Sequence, residues 1–148
     1  MKLKIVKQID IKVINFLFNL RNKKYVRINS LNQKKINYKK HIIWSKKYLS
    51  KKNKLFIIHS SNNYIGYVRM DYKNKNLETS WALFSNFKGK GIMTNALKKA
   101  TGKKFGVHTY ISRIINKNKA SLNVAKKCGF KKIRIYKKYT VFKKNNFD

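Results

Sequence analysis

Lys88-Gly89-Lys90-Gly91-Ile92-Met93 decides how the chain folds, because it reads as a tight turn between a strand and a helix. Glycine lacks the Cβ atom that stops a backbone from wrapping an anion. The helix that follows offers unpaired N–H groups and a partial positive charge at its start. Lys88 and Lys90 add point charges. Together these features predict a phosphate-binding turn. The segment lacks the Gly-Lys-Ser/Thr ending of a P-loop and the third glycine of a dinucleotide fingerprint. Taken by itself, it also fits an ordinary glycine turn.

Upstream, Glu78 to Phe84 reads as the strand that feeds the turn. Leu55 to Ile58 and Tyr64 to Tyr72 read as a hairpin joined at Ser61-Asn62-Asn63, since asparagine tolerates left-handed backbone. Leu3 to Asn19, with Ile5, Ile9, Ile11, Val13, Ile14 and Phe16 to Phe18, reads mostly as a strand. Ser30-Leu31-Asn32-Gln33 has the spacing of a capping box and predicts a helix through Ile36, His41, Ile43, Trp44 and Tyr48. Downstream, Ile92 to about Phe105 reads as a helix with Ala96, Leu97 and Ala100 on one face. Tyr110 to Ile115 reads as a strand, and Asn118 as the cap of a helix that carries Ala120, Val124 and Cys128 and stops at Gly129. Lys131 to Phe142 supplies one or two closing strands. A run of strands followed by strand–helix–strand–helix–strand predicts an α+β, mixed-sheet fold in one domain spanning residues 1–148.

Composition bounds the function. With 43% hydrophobic and 14% aromatic residues the chain can bury a core and is no disordered basic tail. No apolar run reaches the roughly 20 residues needed to span a bilayer. The basic start, Met1-Lys2-Leu3-Lys4, leads into a stretch broken by Lys7, Gln8, Asp10 and Lys12, a poor signal peptide. Cys128 is the only cysteine and has no internal disulfide partner. The expectation is a cytoplasmic protein. The net charge of +34 fits a bland source, because Lys, Asn and Ile are abundant, Pro is absent and only 5 of the 38 basic residues are Arg, the balance AT-rich codons produce; selection for binding polyanions is the alternative reading. Such a field nonetheless attracts polyanions non-specifically, in a salt-dependent way.

The second half adds spacing. Asn118-Lys119-Ala120-Ser121 is followed by Lys127-Cys128-Gly129-Phe130. Phosphate turn, strand, Asn-x-x-Ser and a helix ending in Lys-x-Gly-Phe together resemble the GNAT superfamily of N-acetyltransferases. Arg21-Asn22, Val26-Arg27, His41-x-x-Trp44, Ile65-Gly66-Tyr67-Val68-Arg69 and Glu78 resemble the branch that acetylates nucleotide-linked amino sugars, as in the pseudaminic-acid pathway. The resemblance implies a mixed, mostly antiparallel twisted sheet flanked by helices, with acetyl-CoA bound where the central strands splay.

It also implies roles. Backbone N–H groups of Lys88, Gly89, Lys90, Gly91, Ile92 and Met93 would hold the pyrophosphate, with Lys88 in place of the family's Gln or Arg and Met93 in place of its small final residue, where a long side chain could crowd the phosphates. Backbone groups of Leu83 and Phe84 would align the pantetheine, and Asn118 would bond the pantetheine or cap the helix behind it, with Ser121 supporting that region. The reaction needs a base to free the amine, a donor for the oxyanion and a proton or positive field for the leaving thiolate. Glu78, the only glutamate, is the candidate base, against a reading as an acidic, solvent-facing residue. The family's catalytic tyrosine position holds Ala125, leaving Tyr136 and Tyr139 as downstream candidates. Arg21, Arg27, Arg69, His41 and Trp44 are candidate acceptor contacts; the pair His41–Trp44 fits a core or rim position as well, and the arginines fit ion pairs with Glu78 or Asp71. His59 and His108 read as surface residues at strand ends, with a base role as the alternative for His59, and Cys128 reads as a core residue. No cluster has metal-ligand spacing.

The functions carried forward are acetyl transfer to the 4-amino group of a UDP-linked sugar, acetylation of a ribosomal protein's N-terminus, a cofactor-binding domain without catalysis, and a basic nucleic-acid-binding module. For the last, no zinc-finger, RRM or helix-turn-helix pattern is present.

Overall fold

The computed structural model describes residues 1–106 and 109–145, so His108 lies outside the described residues. The elements run β1 (Lys2–Ile5), α1 (Ile11–Asn22), α2 (Lys24–Arg27), α3 (Tyr38–Tyr48), β2 (Lys54–Ser60), β3 (Asn63–Lys73), β4 (Asn76–Leu83), α4 (Ile92–Thr101), β5 (Thr109–Ile115), α5 (Lys119–Lys127), β6 (Lys131–Ile135) and β7 (Tyr139–Asn145). The strands form one seven-stranded sheet in the order β1-β2-β3-β4-β5-β7-β6. Every pairing is antiparallel except β4 with β5. That is the expected mixed, mostly antiparallel sheet flanked by helices.

Two stretches differ from their reading. Residues 11–22 are helical, and only Lys2–Ile5 is a strand. Val13, Ile14, Phe16, Leu17 and Leu20 are the buried positions, a helical stripe, and Asp10 caps the helix by accepting the Val13 N–H at 2.9 Å. The β-branched content suggested a strand, but tertiary burial of that stripe decides. The helix through His41 and Trp44, α3, opens later than the capping-box spacing indicates. Ser30 donates to Val26 O at 2.7 Å and receives Arg21 Nη1 at 3.0 Å, whereas Asn37 caps α3 through the Lys40 N–H.

Two buried clusters sandwich the sheet. Phe56, Val68, Met70, Leu77 and Tyr110 pack with Ala96, Leu97, Ala100 and Ala125 of α4 and α5. Leu55, Ile57, Tyr67 and Ala82 pack with Val13, Phe16, Leu17 and Leu20 of α1 and Tyr48 of α3. Alternate residues of β2, β3 and β4 therefore serve opposite faces. No helix among the described residues is long and apolar enough to cross a membrane.

Candidate active site

Among the described residues the parallel pair β4–β5 has two registered partners, Leu77 with Tyr110 and Glu78 with Ile111. Beyond them the strands part, since β5 continues along β7 while β4 continues along β3. The gap is a cavity of about 530 Å³ whose walls include Ser80, Trp81, Ala82 and Leu83 on one side and Ser112 and Ile114 on the other. Arg21, Tyr25 and Asn29 close it on the α1–α2 side, and Gly89, Gly91, Met93, Asn118 and Ser121 on the α4–α5 side.

The glycine turn stands at one mouth. Gly89 and Gly91 take left-handed φ values of 76° and 74°, and no atom lies within 4 Å of a Cβ built at either. Gly91 caps α4 without a side-chain hydrogen bond, and the first turn of α4 carries no acidic residue. Its N–H groups have no partner within the helix, so the turn fits a phosphate group. Met93 is 7% exposed and packs with Ala96 and Leu97 in the core, and it also borders the cavity. Lys88 lies over the Tyr25 ring at 4.7 Å and lines the cavity; Lys90 lies over Phe87 at 5.9 Å and does not.

Along β4 the backbone decides what the cleft can use. The Phe84 N–H donates to Ile65 O at 2.9 Å and its carbonyl accepts from Phe87 N at 3.0 Å, so both groups are engaged, and Phe84 is outside the lining. Successive backbone groups point to opposite edges of a strand. Those of Leu83 and Trp81 therefore point toward the open side. Trp81 was invisible to sequence reasoning, because strand phase is needed to find it. Asn118 Oδ1 caps α5 by accepting the Ser121 N–H at 3.2 Å.

Glu78 sits at the last registered pair, where the splay begins, and accepts Arg113 Nη1 at 2.9 Å. Arg69 makes two bonds to Asp71, at 3.1 and 2.9 Å. Tyr48 donates to Asp71 Oδ1 at 2.6 Å. Burial first, and Asp71 beside it second, push the Tyr48 phenol far up, so it stays protonated. Burial works to lower Arg69, but Asp71 outweighs it and the guanidinium stays charged. Arg113 was missed in sequence; its signal was the scarcity of arginine together with a position two residues beyond Ile111, the partner of Glu78.

The structure separates the candidate acceptor contacts. Arg21 and Arg69 line the cavity, whereas His41 and Trp44 do not. His41 is buried with Nε2 2.9 Å from Ile14 O, and its ring stacks on Trp44 at 5.5 Å. Trp44 stands behind Arg69, whose guanidinium lies 5.2 Å from its ring. Arg27 binds Asn22 O and Gln33 O, holding the loop before α3. Ala125 is fully buried against the core, while Tyr136 and Tyr139 stack on each other outside the cavity lining. The Cys128 thiol is buried 3.4 Å from Thr94 O, and burial raises its pKa. Among the described residues no three His, Cys, Asp or Glu side chains gather where they could hold a metal ion.

The cleft is wedged between two parting parallel strands, with the glycine turn at its mouth and the Glu78 carboxylate at its root, an open arrangement suited to group transfer between two bound molecules. A sequence model of the acetyltransferase (GNAT) domain matches residues 10–131, and the chain belongs to that family. It is an N-acetyltransferase, and its co-substrate is acetyl-CoA. No curated protein matches the chain in sequence. Solved structures share its fold. Spermidine N-acetyltransferase from Vibrio cholerae, in complex with CoA and spermine, is 14% identical with a TM-score of 0.83, covering 98% of this chain and 96% of that one. Ribosomal-protein-alanine N-acetyltransferase from Brucella melitensis is 16% identical with a TM-score of 0.81, covering 98% and 99%. Campylobacter jejuni N-acetyltransferase PseH, in complex with acetyl coenzyme A, is 20% identical with a TM-score of 0.71, covering 97% of each chain. At these identities the likeness is one of fold.

Proposed function

We propose that residues 1–148 form one cytoplasmic acetyltransferase domain that acetylates a primary amine carried on an anionic acceptor, the 4-amino group of a UDP-linked sugar. One observation carries this reading. Among the described residues, five cationic side chains line the cavity, Arg21, Arg69, Lys88, Arg113 and Lys127, against two acidic ones, Asp71 and Glu78, and each acid is already paired with an arginine. A polycation such as spermidine would find no free carboxylate there, whereas a nucleoside diphosphate would find a positive field. The motif resemblance to the amino-sugar branch points the same way.

In this reading Lys88 and the N–H groups of Gly89 to Met93 hold the pyrophosphate of acetyl-CoA. The free edge at Leu83 and Trp81 aligns the pantetheine, with Asn118 and Ser121 flanking it. Glu78 takes the proton of the attacking amine, directly or through water. Arg21 and Arg69 hold the acceptor's anionic part, and His41 and Trp44 act only from behind. A direct assay presents the purified enzyme and acetyl-CoA with a UDP-linked 4-amino sugar, spermidine and a basic N-terminal peptide. Turnover is expected with the sugar; turnover with spermidine or the peptide alone would replace this acceptor.

A further inference from the structure

Tyr67 sits on β3 opposite Ala82 of β4 and is only 6% exposed, yet it lines the cavity. Its ring packs with Leu55, Ile57 and Ala82. Among the described residues no group hydrogen-bonds its hydroxyl, although other buried tyrosines such as Tyr48 and Tyr110 bond main-chain carbonyls. A buried phenol ordinarily has a partner, but among the described residues only Ser45 Oγ is a sealed side-chain atom without one, so the Tyr67 hydroxyl is open to the cavity. One that borders a cavity can take that partner from whatever enters.

Two guanidinium groups bear on the same hydroxyl. Burial raises the Tyr67 phenol, and the charges of Arg69 and Arg21 oppose that rise. The group thus stays an O–H donor in a locally positive field. Both arginines are fixed from behind. Arg69 spends Nε and Nη2 on Asp71 and stacks on the rings of Trp44 and Tyr48, which leaves Nη1 outside that ion pair. Arg21 is held by Ser30 Oγ at 3.0 Å and Asn32 O at 3.1 Å. Guanidinium groups accept no hydrogen bonds. Donors gathered this way call for an anion with several acceptor oxygens.

We propose that Tyr67, Arg69 and Arg21 form a receptor for a phosphoryl group of the acceptor, with the Tyr67 hydroxyl donating to a phosphate oxygen. The receptor is separate from the coenzyme cradle. Tyr67 belongs to the face covered by α1 and α3, whereas α4 packs on the other. The proposal rests on the anionic-acceptor reading for what carries the phosphate, and it adds the residue that recognises it. Asp71, Tyr48 and Trp44 are positioning residues for Arg69.

The test titrates inorganic pyrophosphate into protein saturated with CoA, so that the turn at Lys88 to Met93 is occupied, at fixed moderate ionic strength. Tyr67→Phe keeps the ring and should keep the melting temperature and the CoA affinity, while weakening pyrophosphate binding about tenfold. Arg69→Gln should weaken it further. Equal pyrophosphate affinity in wild type and Tyr67→Phe would overturn the receptor and assign the binding to diffuse surface charge. Tyr67-dependent pyrophosphate binding without acetylation of the UDP-linked sugar would keep the receptor and remove that acceptor. Acetylation of the sugar with an unchanged KM in Tyr67→Phe would do the reverse.

Discussion

Asp71 and Glu78 stand directly opposite each other across β3 and β4, and each is held by a different arginine, Arg69 and Arg113, at 2.9 Å. Directly opposed residues share one face of a sheet, and like charges placed so repel. The two arginines remove that repulsion. Only four acidic residues exist in the chain, so finding two of them facing each other on the wall of one cavity marks the place where negative charge has a use. Asp71 is consumed by Arg69 and Tyr48, whereas Glu78 has a single side-chain partner among the described residues and stands where the strands part.

On the proposed reading, that difference favours Glu78 over Asp71 as the base. Glu78→Gln keeps a hydrogen-bond acceptor for Arg113 and should leave the fold intact. With a positioned base removed, kcat should fall by roughly 10²-fold or more. The measurement is the pH profile of turnover with the amine acceptor. Unchanged turnover across pH would remove Glu78 from the mechanism.

Tyr48 ties the other half of this arrangement together. Its hydroxyl lies within hydrogen-bond distance of Asp71 Oδ1, Met70 O and Lys54 O, the shortest contact being the carboxylate. Tyr48→Phe removes a hydrogen bond to a charged group, which costs about 1.5–3 kcal/mol in stability. It also frees Asp71, and with it Arg69, so KM for the acceptor should rise while the acetyl-CoA KM holds. Denaturant unfolding and the two KM values read these effects separately.

Met93 shows where sequence reading stopped. The turn, the helix after it and the cap at Asn118 were legible because glycine, asparagine and their spacing act locally. Which way Met93 points depends on the packing of α4 against the sheet, a long-range fact. The same holds for residues 11–22, whose β-branched residues form a helical stripe only once α1 has a sheet to cover, and for Arg113, which meets Glu78 through the β4–β5 register. Because Met93 is buried with Ala96 and Leu97, Met93→Ala should lower stability by about 2–5 kcal/mol. Tighter acetyl-CoA binding by that variant, at equal stability, would place the side chain on the phosphates instead.

Gly66 and Gly89 should respond to the same substitution for different reasons. A Cβ at Gly66 would stand 2.7 Å from Ala82 O and 2.8 Å from Leu83 Cδ1, so Gly66→Ala forces β3 and β4 apart beside the cavity. The expected loss is about 1–3 kcal/mol, with a drop in melting temperature. A Cβ at Gly89 meets nothing within 4 Å, so Gly89→Ala carries only the strain of its left-handed backbone, roughly 1 kcal/mol. Its main effect should be on acetyl-CoA affinity, read by calorimetry. A Gly89→Ala protein that binds acetyl-CoA as tightly as wild type would move the phosphates elsewhere.

His41 sets a pH dependence of stability. Burial lowers its pKa below 6.5; the bond to Ile14 O opposes that shift, and the charge of Arg69 adds to it. Below pH about 6.5 the unfolded chain therefore takes up a proton that the folded protein refuses. Where the unfolded state binds more protons, stability rises with pH, so it must fall as pH drops from about 6.5 toward the lowered value. The slope from one such group is at most about 1.4 kcal/mol per pH unit. His59 is shifted in the same direction, first by burial and then by Lys4 and Lys12, and adds to the trend. His41→Gln sacrifices the stacking on Trp44 and should be less stable at every pH. Its loss of stability between pH 7 and 5.5 should nonetheless be shallower than that of wild type. Parallel wild-type and His41→Gln curves in denaturant titrations over that range would show that His41 contributes no proton linkage.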